Sequence, residues 1–363
     1  EIRSYKPTTK GNYVQVRRVM AALEEAEKPL ICIGGGVFAA HAENEIRELA
    51  DLMQIPVITT MMGISVFPDD DQLFCGMIGT HGVKMANAAV NECDVLFLVG
   101  ARVGDRAVKT PLALEKTTKI IHIDIDPAEI GKNIGADLPL VGDAKLVLQQ
   151  MTELAKPMKH DEWIAHIKTL GGERKYVEPA KGTVNPRVFI DRLAKKMPAN
   201  VTVVADVGQN QIWTCTEYKF RKEGRLLTSG GMGTMGYSVP AAIGAKMADN
   251  SRATVAICGD GAFQMSFMEL ATAVQFGVDI KVVVMTNNRL GMVRELQTNG
   301  YHDRQTAVFL DGSPDFIKLA EAYGIPAMRV YDDDTMEKGV EMLAEHKGIC
   351  LVEVVVDKDM PTL

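Results

Sequence analysis

The sequence has few of the features that mark secreted, zinc-binding or nucleic-acid-binding proteins. Its six cysteines never form a Cys-x-x-Cys pair, which argues against a zinc site or a disulfide framework and is typical of a reducing compartment. The net charge is −7 and there is no Lys/Arg-rich stripe, which argues against nucleic acid or an anionic membrane as the main partner. No apolar run reaches the roughly 18 residues of a membrane span, and no signal peptide is evident. We therefore expect a cytoplasmic protein.

The length and composition are sufficient for two domains. The chain has 363 residues, of which 47% are hydrophobic and 24% are charged, enough for two α/β domains with complete cores. A polar stretch containing Gly and Pro divides them. We predict a first domain at residues 1–170, a linker at 171–186 and a second domain at 187–363. Because the first residue is Glu1 rather than Met, we expect a fragment or a processed product.

Apolar runs of strand length alternate with helix-like segments in both halves. Because these runs are apolar throughout, each strand is expected to be covered on two faces, as in a parallel sheet. The predicted fold class is α/β, with two doubly wound parallel-sheet domains and ligands at the carboxyl ends of the strands. The predicted strands are 29–33, 56–59, 95–99 and 120–125 in the first domain, and 201–205, 226–228, 254–258, 281–285 and 349–355 in the second.

Two short motifs at strand ends carry the chemistry of the second domain. Gly259-Asp260-Gly261 follows one predicted strand and Asn287-Asn288 follows the next, with a helix predicted at 267–276 between them. The separation, 287 − 260 = 27 residues, suits one strand–helix–strand unit. Either motif alone could be an ordinary turn or strand end. Together they predict a site for Mg²⁺ and a diphosphate, because Asp260 offers a carboxylate and the turn exposes backbone N–H groups.

The spacing of these motifs resembles the thiamin diphosphate fold motif. The resemblance implies that Mg²⁺ is bound by the side chains of Asp260 and Asn287 and by the backbone carbonyl of Arg289.

The segment 228–246 is rich in glycine and could be either a turn before a packed helix or a backbone that closely approaches a flat ring. Its sequence Ser-Gly-Gly-Met-Gly-Thr-Met-Gly closely resembles that of acetohydroxyacid synthase, also called acetolactate synthase. The resemblance implies that the Gly233 carbonyl bonds the aminopyrimidine amine, that Met235 supports the bent cofactor, and that Met292 and Leu296 lie near the substrate. The thiamin diphosphate residues that it implies are Gly208, Gln209, Asn210, Gly233, Met235, Gly259, Asp260, Gly261, Ala262, Asn287, Gly291 and Met292.

Two residues of the second domain depart from the pattern of the family, and in the first domain Gly104 stands where some members have an acidic residue. Asn210 stands where the family often has His; Asn can donate to a phosphate but carries no positive charge. Leu296 stands where the family usually has Trp.

The first domain resembles the flavin-binding middle domain of the same family. Gly34-Gly35-Gly36 could be an ordinary strand–helix turn and His81 a loop histidine, whereas the string from Gly100 to Arg106 is more specific. Arg102 would contact a pyrophosphate, and Asp124 would accept from ribose hydroxyls. The FAD residues that the resemblance implies are Gly34, Gly35, Gly36, Thr60, Met61, Thr80, His81, Gly100, Ala101, Arg102, Arg106, Asp124, Ile125, Gly142 and Asp143.

The function that the resemblance implies is that of a thiamin diphosphate-dependent transferase with Mg²⁺ and a structural FAD. It would decarboxylate pyruvate and join the product to a second 2-oxoacid, in branched-chain amino acid biosynthesis. It would act as a homodimer or homotetramer, with room for a regulatory small subunit. The alternatives are another thiamin diphosphate-dependent 2-oxoacid decarboxylase or glyoxylate carboligase, or a non-catalytic cofactor-binding fragment.

The glutamate that activates the cofactor in this family comes from a pyrimidine-binding domain that the chain does not match. Glu269 is expected to pack or cap a helix rather than to replace it. Residues 1–363 alone are therefore expected to be inactive.

Overall fold

The computed structural model describes residues 6–172 and 176–363. The chain divides into two compact units between residues 173 and 174. Residues 173–175 of the predicted linker 171–186 lie outside the described residues, as do residues 1–5 of the predicted first domain. The domain boundaries proposed from the sequence stay predictions.

The first unit contains a parallel sheet with helices on both faces. The strands pair in the order β3-β2-β1-β4-β5-β6. All five residues of β1 are buried, and alternate ones face two separate hydrophobic clusters, with Ile31 and Ile33 in one and Leu30 and Cys32 in the other. The strands are β1 Pro29–Ile33, β2 Val57–Thr59, β3 Phe74–Met77, β4 Val95–Val99, β5 Lys119–Asp124 and β6 Leu138–Val141, and the α-helices are α1 Tyr13–Glu25, α2 Gly36–Ala39, α3 Glu43–Met53, α4 Lys84–Glu92, α5 Pro111–Leu114, α6 Ala144–Thr152 and α7 Asp161–Thr169.

The second unit contains another parallel sheet, ordered β11-β12-β10-β9-β7-β8. Strand β7 lies between β8 and β9, so the chain changes direction across the sheet at this point. Ligands in open α/β sheets bind at such switch points, outside the carboxyl ends of the strands. The strands are β7 Thr202–Ala205, β8 Arg225–Thr228, β9 Thr254–Gly259, β10 Lys281–Thr286, β11 Ala327–Val330 and β12 Cys350–Val355, and the α-helices are α8 Pro186–Lys196, α9 Gln209–Glu217, α10 Ser238–Ala248, α11 Asp260–Gln264, α12 Leu270–Gln275, α13 Gly291–Gly300, α14 Phe316–Ala322 and α15 Asp333–Glu345.

The predicted fold class is confirmed, but the predicted set of strands was incomplete. Strands β3, β6 and β11 were missed because each has four residues and only a partly buried pattern. The helix predicted at 267–276 was also wrong in detail. The structure begins α11 directly at Asp260, continues with a 3₁₀ turn at Phe267–Glu269, and forms α12 only from Leu270.

Candidate functional site

The carboxyl edge of the second sheet brings the predicted thiamin diphosphate residues together. Gly208 follows β7 with a φ of +143°, a conformation that favours glycine. Asp260 begins α11 directly after β9, and Asn287 follows β10. Three neighbouring strands thus end in candidate ligands, on both sides of the switch point between β7 and β9.

Asp260 joins two of these loops. Its Oδ2 accepts hydrogen bonds from the backbone N–H groups of Asn287 at 3.1 Å and Asn288 at 2.6 Å. Its Oδ1 accepts from Gly261 N at 2.8 Å. The carboxylate therefore fixes the Asn287-Asn288 turn against the start of α11.

The Asp260 carboxylate has no cationic side chain beside it among the described residues. Asp260 is 2% exposed. Burial raises its pKa to about 6, although the backbone hydrogen bonds from Asn288, Gly261 and Asn287 favour the ionised form. A buried anion that no protein cation compensates suits a bound metal ion.

The remaining oxygen donors match what Mg²⁺ requires. Asn287 Oδ1 accepts one hydrogen bond, from Arg289 N at 3.1 Å, and keeps a second lone pair. The Arg289 carbonyl oxygen accepts none of the hydrogen bonds found among the described residues. Mg²⁺ is usually held by one or two carboxylates together with substrate phosphates and water, so a single carboxylate is sufficient here. Within residues 6–172 and 176–363, no cluster of three or more His, Cys, Asp or Glu side chains is arranged to hold a metal ion.

The amide of Gln209, one of the predicted thiamin diphosphate residues, makes its hydrogen bonds inside the protein. Its Oε1 accepts from Asn287 Nδ2 at 3.2 Å. Its Nε2 donates to the Met360 carbonyl at 2.9 Å and lies 3.2 Å from Thr362 Oγ1. Gln209 therefore connects the candidate metal ligand Asn287 to the segment after β12.

The Asn210 side chain also serves the protein rather than a phosphate. Both N–H bonds of its Nδ2 are used, by the carbonyls of Asp206 at 2.8 Å and Ile257 at 3.2 Å. Asn210 thereby ties β7 to β9, and the expected donation from this nitrogen to a phosphate does not fit the structure.

A cavity of about 110 Å³ lies among these residues. Of the cofactor and substrate residues predicted in this unit, Gly233 and Leu296 do not line the cavity. Gly233 is exposed and has a φ of +66°. The predicted residues that do line it are Gly208, Gln209, Asn210, Met235, Gly259, Asp260, Gly261, Ala262, Asn287, Arg289, Gly291 and Met292.

Close packing explains the glycines of this cavity. A Cβ on Gly261 would lie 2.8 Å from Leu290 Cδ2 and 3.3 Å from Met235 Cε. A Cβ on Gly291 would lie 1.9 Å from Gln209 Oε1. The absence of a side chain at Gly261 leaves room for the apolar wall formed by Met235 and Leu290, and its absence at Gly291 leaves room for the Gln209 amide.

Leu296 lies outside the cavity, on the surface of α13. It is 57% exposed and borders a separate, open depression of about 570 Å³ together with Val293 and Tyr301. The alternative that Leu296 packs in the core of its segment is therefore wrong. Met292 and Leu296, both predicted to lie near substrate, face different cavities.

Asp206 and Trp213 are among the residues of the site that sequence reasoning missed. Asp206 is fully buried, and its Oδ1 and Oδ2 accept from Gly236 N at 3.0 Å and Ser238 N at 2.8 Å, which fixes the loop that carries Met235. Trp213 lines the cavity and donates from Nε1 to the Pro361 carbonyl at 3.1 Å. The signal for Asp206 was an acidic residue at a strand end, two residues before the predicted cofactor residues Gly208 and Gln209.

Glu269 has the structural role expected from the sequence. It lies in the 3₁₀ turn before α12, where its Oε2 accepts from the Thr272 hydroxyl at 2.9 Å. It does not line the cavity beside Asp260.

In the first unit, the predicted FAD residues lie after the carboxyl ends of the strands. The strand order places the switch point between β1 and β4, where dinucleotides bind in sheets of this order. Gly34 to Gly36 follow β1, and Gly100 to Arg102 follow β4. Thr60 and Met61 follow β2, Thr80 and His81 follow β3, Asp124 ends β5 and Ile125 follows it, and Gly142 and Asp143 follow β6.

The contacts of these residues are compatible with a dinucleotide but are also explained by the fold. Gly36 N donates to the Gly100 carbonyl at 3.0 Å, and a Cβ on Gly34 would lie 2.1 Å from that oxygen. Asp143 caps α6 by accepting from the Leu146 backbone N–H at 3.2 Å. The Arg102 side chain is exposed.

The first unit also brings two of its loops together. Thr80 N donates to the Arg106 carbonyl at 2.9 Å, which joins the loop after β3 to the loop after β4.

The Asp124 side chain, in contrast, is used within its own loop. Its Oδ1 accepts from Asp126 N at 2.9 Å, which forms a local turn.

Comparison with known families agrees with this geometry. Residues 206–354 match the thiamine pyrophosphate enzyme C-terminal TPP binding domain, and residues 16–151 match the thiamine pyrophosphate enzyme central domain. The chain belongs to the thiamine pyrophosphate enzymes. Thiamin diphosphate is another name for this cofactor, and the second unit is the domain of this family that binds it.

Curated relatives within the thiamine pyrophosphate enzymes narrow the comparison. The chain is 39% identical to the probable acetolactate synthase large subunit of Methanocaldococcus jannaschii, with 98% of this chain and 62% of the relative covered. It is 39% identical to the acetolactate synthase of Arthrospira platensis, covering 98% and 63%. It is 35% identical to the acetolactate synthase isozyme 3 large subunit of Escherichia coli, covering 98% and 64%. The chain thus spans about three fifths of the length of these relatives.

No helix among the described residues is long and apolar enough to cross a membrane.

Proposed function

We propose that the protein supplies the central and thiamin diphosphate-binding domains of an acetolactate synthase catalytic subunit. The reaction is decarboxylation of pyruvate followed by carboligation of the two-carbon unit to a second 2-oxoacid, in branched-chain amino acid biosynthesis. The relatives named acetolactate synthase favour this reaction over another 2-oxoacid decarboxylase or a glyoxylate carboligase. Product analysis with pyruvate as the only substrate separates these alternatives.

The observation that carries the proposal is the uncompensated Asp260 carboxylate beside the oxygens of Asn287 and Arg289. Bound thiamin diphosphate would supply the carbanion chemistry of its thiazolium ring. Asp260, Asn287 Oδ1 and the Arg289 carbonyl would hold Mg²⁺, which would in turn hold the diphosphate. Met235 supplies an apolar wall to the cavity, and Asp206 fixes the loop that carries it.

The experiment is a comparison of cofactor binding in matched aspartate variants. Asp260→Ala should abolish Mg²⁺-dependent binding of thiamin diphosphate, measured by calorimetry, while the fold persists. Asp334→Ala, on the exposed first turn of α15, is the control and should bind as the unsubstituted protein does. Unchanged affinity in Asp260→Ala would refute the metal site.

The first unit is proposed to bind FAD at the switch point between β1 and β4, as a structural group. Its support is the position of the predicted residues at the carboxyl edge of a sheet of dinucleotide-binding strand order. Retention of flavin absorbance through purification tests it, and Arg102→Ala should weaken retention. Residues 1–363 expressed alone should turn over pyruvate negligibly, because the activating glutamate of this family comes from a pyrimidine-binding domain that they do not match, and Glu269, which is engaged by Thr272, does not line the cavity.

The assembly and location follow from the same proposal. We infer a cytoplasmic homodimer or homotetramer. Two of the relatives are named large subunits, which supports a smaller regulatory subunit as partner. Weighing the native assembly tests both points.

A further inference from the structure

The amide of Gln209 is held in one orientation by groups that can only accept. Its Nε2 lies 2.9 Å from the Met360 carbonyl oxygen and 3.3 Å from Glu295 Oε2. A carbonyl and a carboxylate have no proton to donate, so neither can face the amide oxygen. The Thr362 hydroxyl donates its one proton to Glu295 Oε2, so its oxygen is also an acceptor toward Nε2, at 3.2 Å. The amide nitrogen must therefore face this cluster and Oε1 must face away from it.

The orientation of Gln209 determines that of Asn287. Gln209 Oε1 points at Asn287 and lies 3.2 Å from its Nδ2. Two amide oxygens cannot form a hydrogen bond with each other, so Asn287 must present its nitrogen to Gln209. Asn287 Oδ1 is then directed to the opposite side, next to the Arg289 backbone N–H at 3.1 Å. Only this oxygen suits Mg²⁺, which takes oxygen ligands.

We propose that Glu295 is a positioning residue that fixes, through Gln209, the Asn287 amide with its oxygen toward the metal. This inference rests on the proposed function, because it takes Asn287 as a Mg²⁺ ligand. Glu295 acts on all three contacts of Gln209 Nε2. Its carboxylate is one acceptor, and it anchors the segment that supplies the other two by accepting from Thr362 N, with Oε2 at 3.1 Å and Oε1 at 3.3 Å.

The first measurement is Mg²⁺ affinity at saturating thiamin diphosphate, by calorimetry on the full-length protein. Glu295→Ala should weaken Mg²⁺ binding by about tenfold, because Gln209 and Asn287 can then turn. Glu295→Gln should lose less, because its own carbonyl oxygen can still accept from Gln209. Glu341→Ala, on the exposed face of α15, is the matched control and should leave the affinity unchanged.

The decisive measurement is the effect of Asn287→Asp in two backgrounds. Aspartate has two oxygens, so it presents an oxygen to the metal in either orientation. With Glu295 in place, its second oxygen faces Gln209 Oε1, which cannot turn away. In Glu295→Ala, Gln209 can turn and donate. The added negative charge is the same in both backgrounds and cancels in the comparison. The change in Mg²⁺ affinity caused by Asn287→Asp should therefore be about tenfold more favourable in the Glu295→Ala background than with Glu295 in place.

The outcomes separate this inference from the proposed function. Equal effects of Asn287→Asp in the two backgrounds would overturn the positioning role while leaving the metal site intact. Failure of the unsubstituted protein to bind Mg²⁺ with thiamin diphosphate would overturn both. Where Glu295→Ala does not fold, Thr362→Val carries the same comparison, since it removes one acceptor of Gln209 Nε2 and one anchor on Glu295.

Discussion

The buried Asp260 carboxylate predicts an unusual dependence of stability on pH in the metal-free protein. Burial raises its pKa from 3.8 to about 6 in the folded state. The folded protein therefore binds the proton more tightly than the unfolded chain. The contribution of Asp260 to the free energy of unfolding is then fully present below pH 3.8 and is lost as the pH rises through about 6. A shift of about two pKa units corresponds to roughly 3 kcal/mol.

The assay compares the unsubstituted protein with Asp260→Asn, so that all other titrating groups cancel. Urea unfolding is followed by tryptophan fluorescence in a Trp163→Phe background, which leaves Trp213 as the one reporter, in the second unit. Between about pH 4 and pH 7.5, with a chelator present, the unsubstituted protein should lose roughly 2.5 kcal/mol relative to Asp260→Asn, since a small part of the effect is already lost at pH 4.

Mg²⁺ with thiamin diphosphate should reverse the sign of this dependence. A cation beside the carboxylate favours its ionised form, so the pKa of Asp260 falls and the stability rises with pH. The reasoning would be refuted if, with the chelator present, the difference in the free energy of unfolding between the two proteins did not change with pH. That result would mean that the carboxylate is well solvated or that a nearby positive charge compensates it.

Two further substitutions test the packing of the first unit and the substrate role proposed for Leu296. Gly34→Ala should destabilise the first unit by about 3 kcal/mol in urea unfolding, because the new Cβ would lie 2.1 Å from the Gly100 carbonyl oxygen. The control is Gly104→Ala, whose Cβ would meet nothing within 4 Å and which should leave the stability unchanged. Equal losses of stability in the two variants would contradict this prediction. Leu296→Trp is tested in the full-length enzyme with pyruvate and 2-oxobutyrate in competition, and it should shift the products toward 2-aceto-2-hydroxybutyrate. The larger apolar side chain would contact the extra methylene of 2-oxobutyrate, a contact worth about 1 to 3 kcal/mol at most. Identical product ratios in the two proteins would count against a substrate role for this exposed residue.

Sequence reasoning worked best where a motif follows a long, fully buried strand. Strands β1, β4, β9 and β10 each contain an uninterrupted apolar run and are buried along all or nearly all of their length, so their carboxyl ends could be placed to within a residue or two. The motifs that follow these strands could be placed with the same accuracy. This is why Asp260 and Asn287 could be expected side by side, as the 3.1 Å contact between Asn287 N and Asp260 Oδ2 confirms.

The sequence could not show which strands complete each sheet. Strands β3, β6 and β11 are short edge or near-edge elements, and β6 contains Pro139. An edge strand needs burial on fewer sides, so it has less of the continuous apolar pattern that identifies a central strand. The FAD residues predicted after β3 and β6 came instead from the resemblance to the family, and they stay predictions.

The use of each polar side chain was beyond the sequence for a different reason. Gln209 and Asn210 have side-chain amides close to the predicted diphosphate site. From their position in the sequence alone, the N–H groups of both amides would be expected to be free to bind a phosphate. Whether a donor is free depends on acceptors brought close by folding, and Met360 and Thr362 lie 151 and 153 residues away from Gln209. Motif reasoning therefore identified which residues line the cavity, whereas the long-range hydrogen bonds show which of their polar groups are already used inside the protein. Glu295 illustrates the consequence, since its influence on Asn287 passes through Gln209 and is invisible in its local sequence.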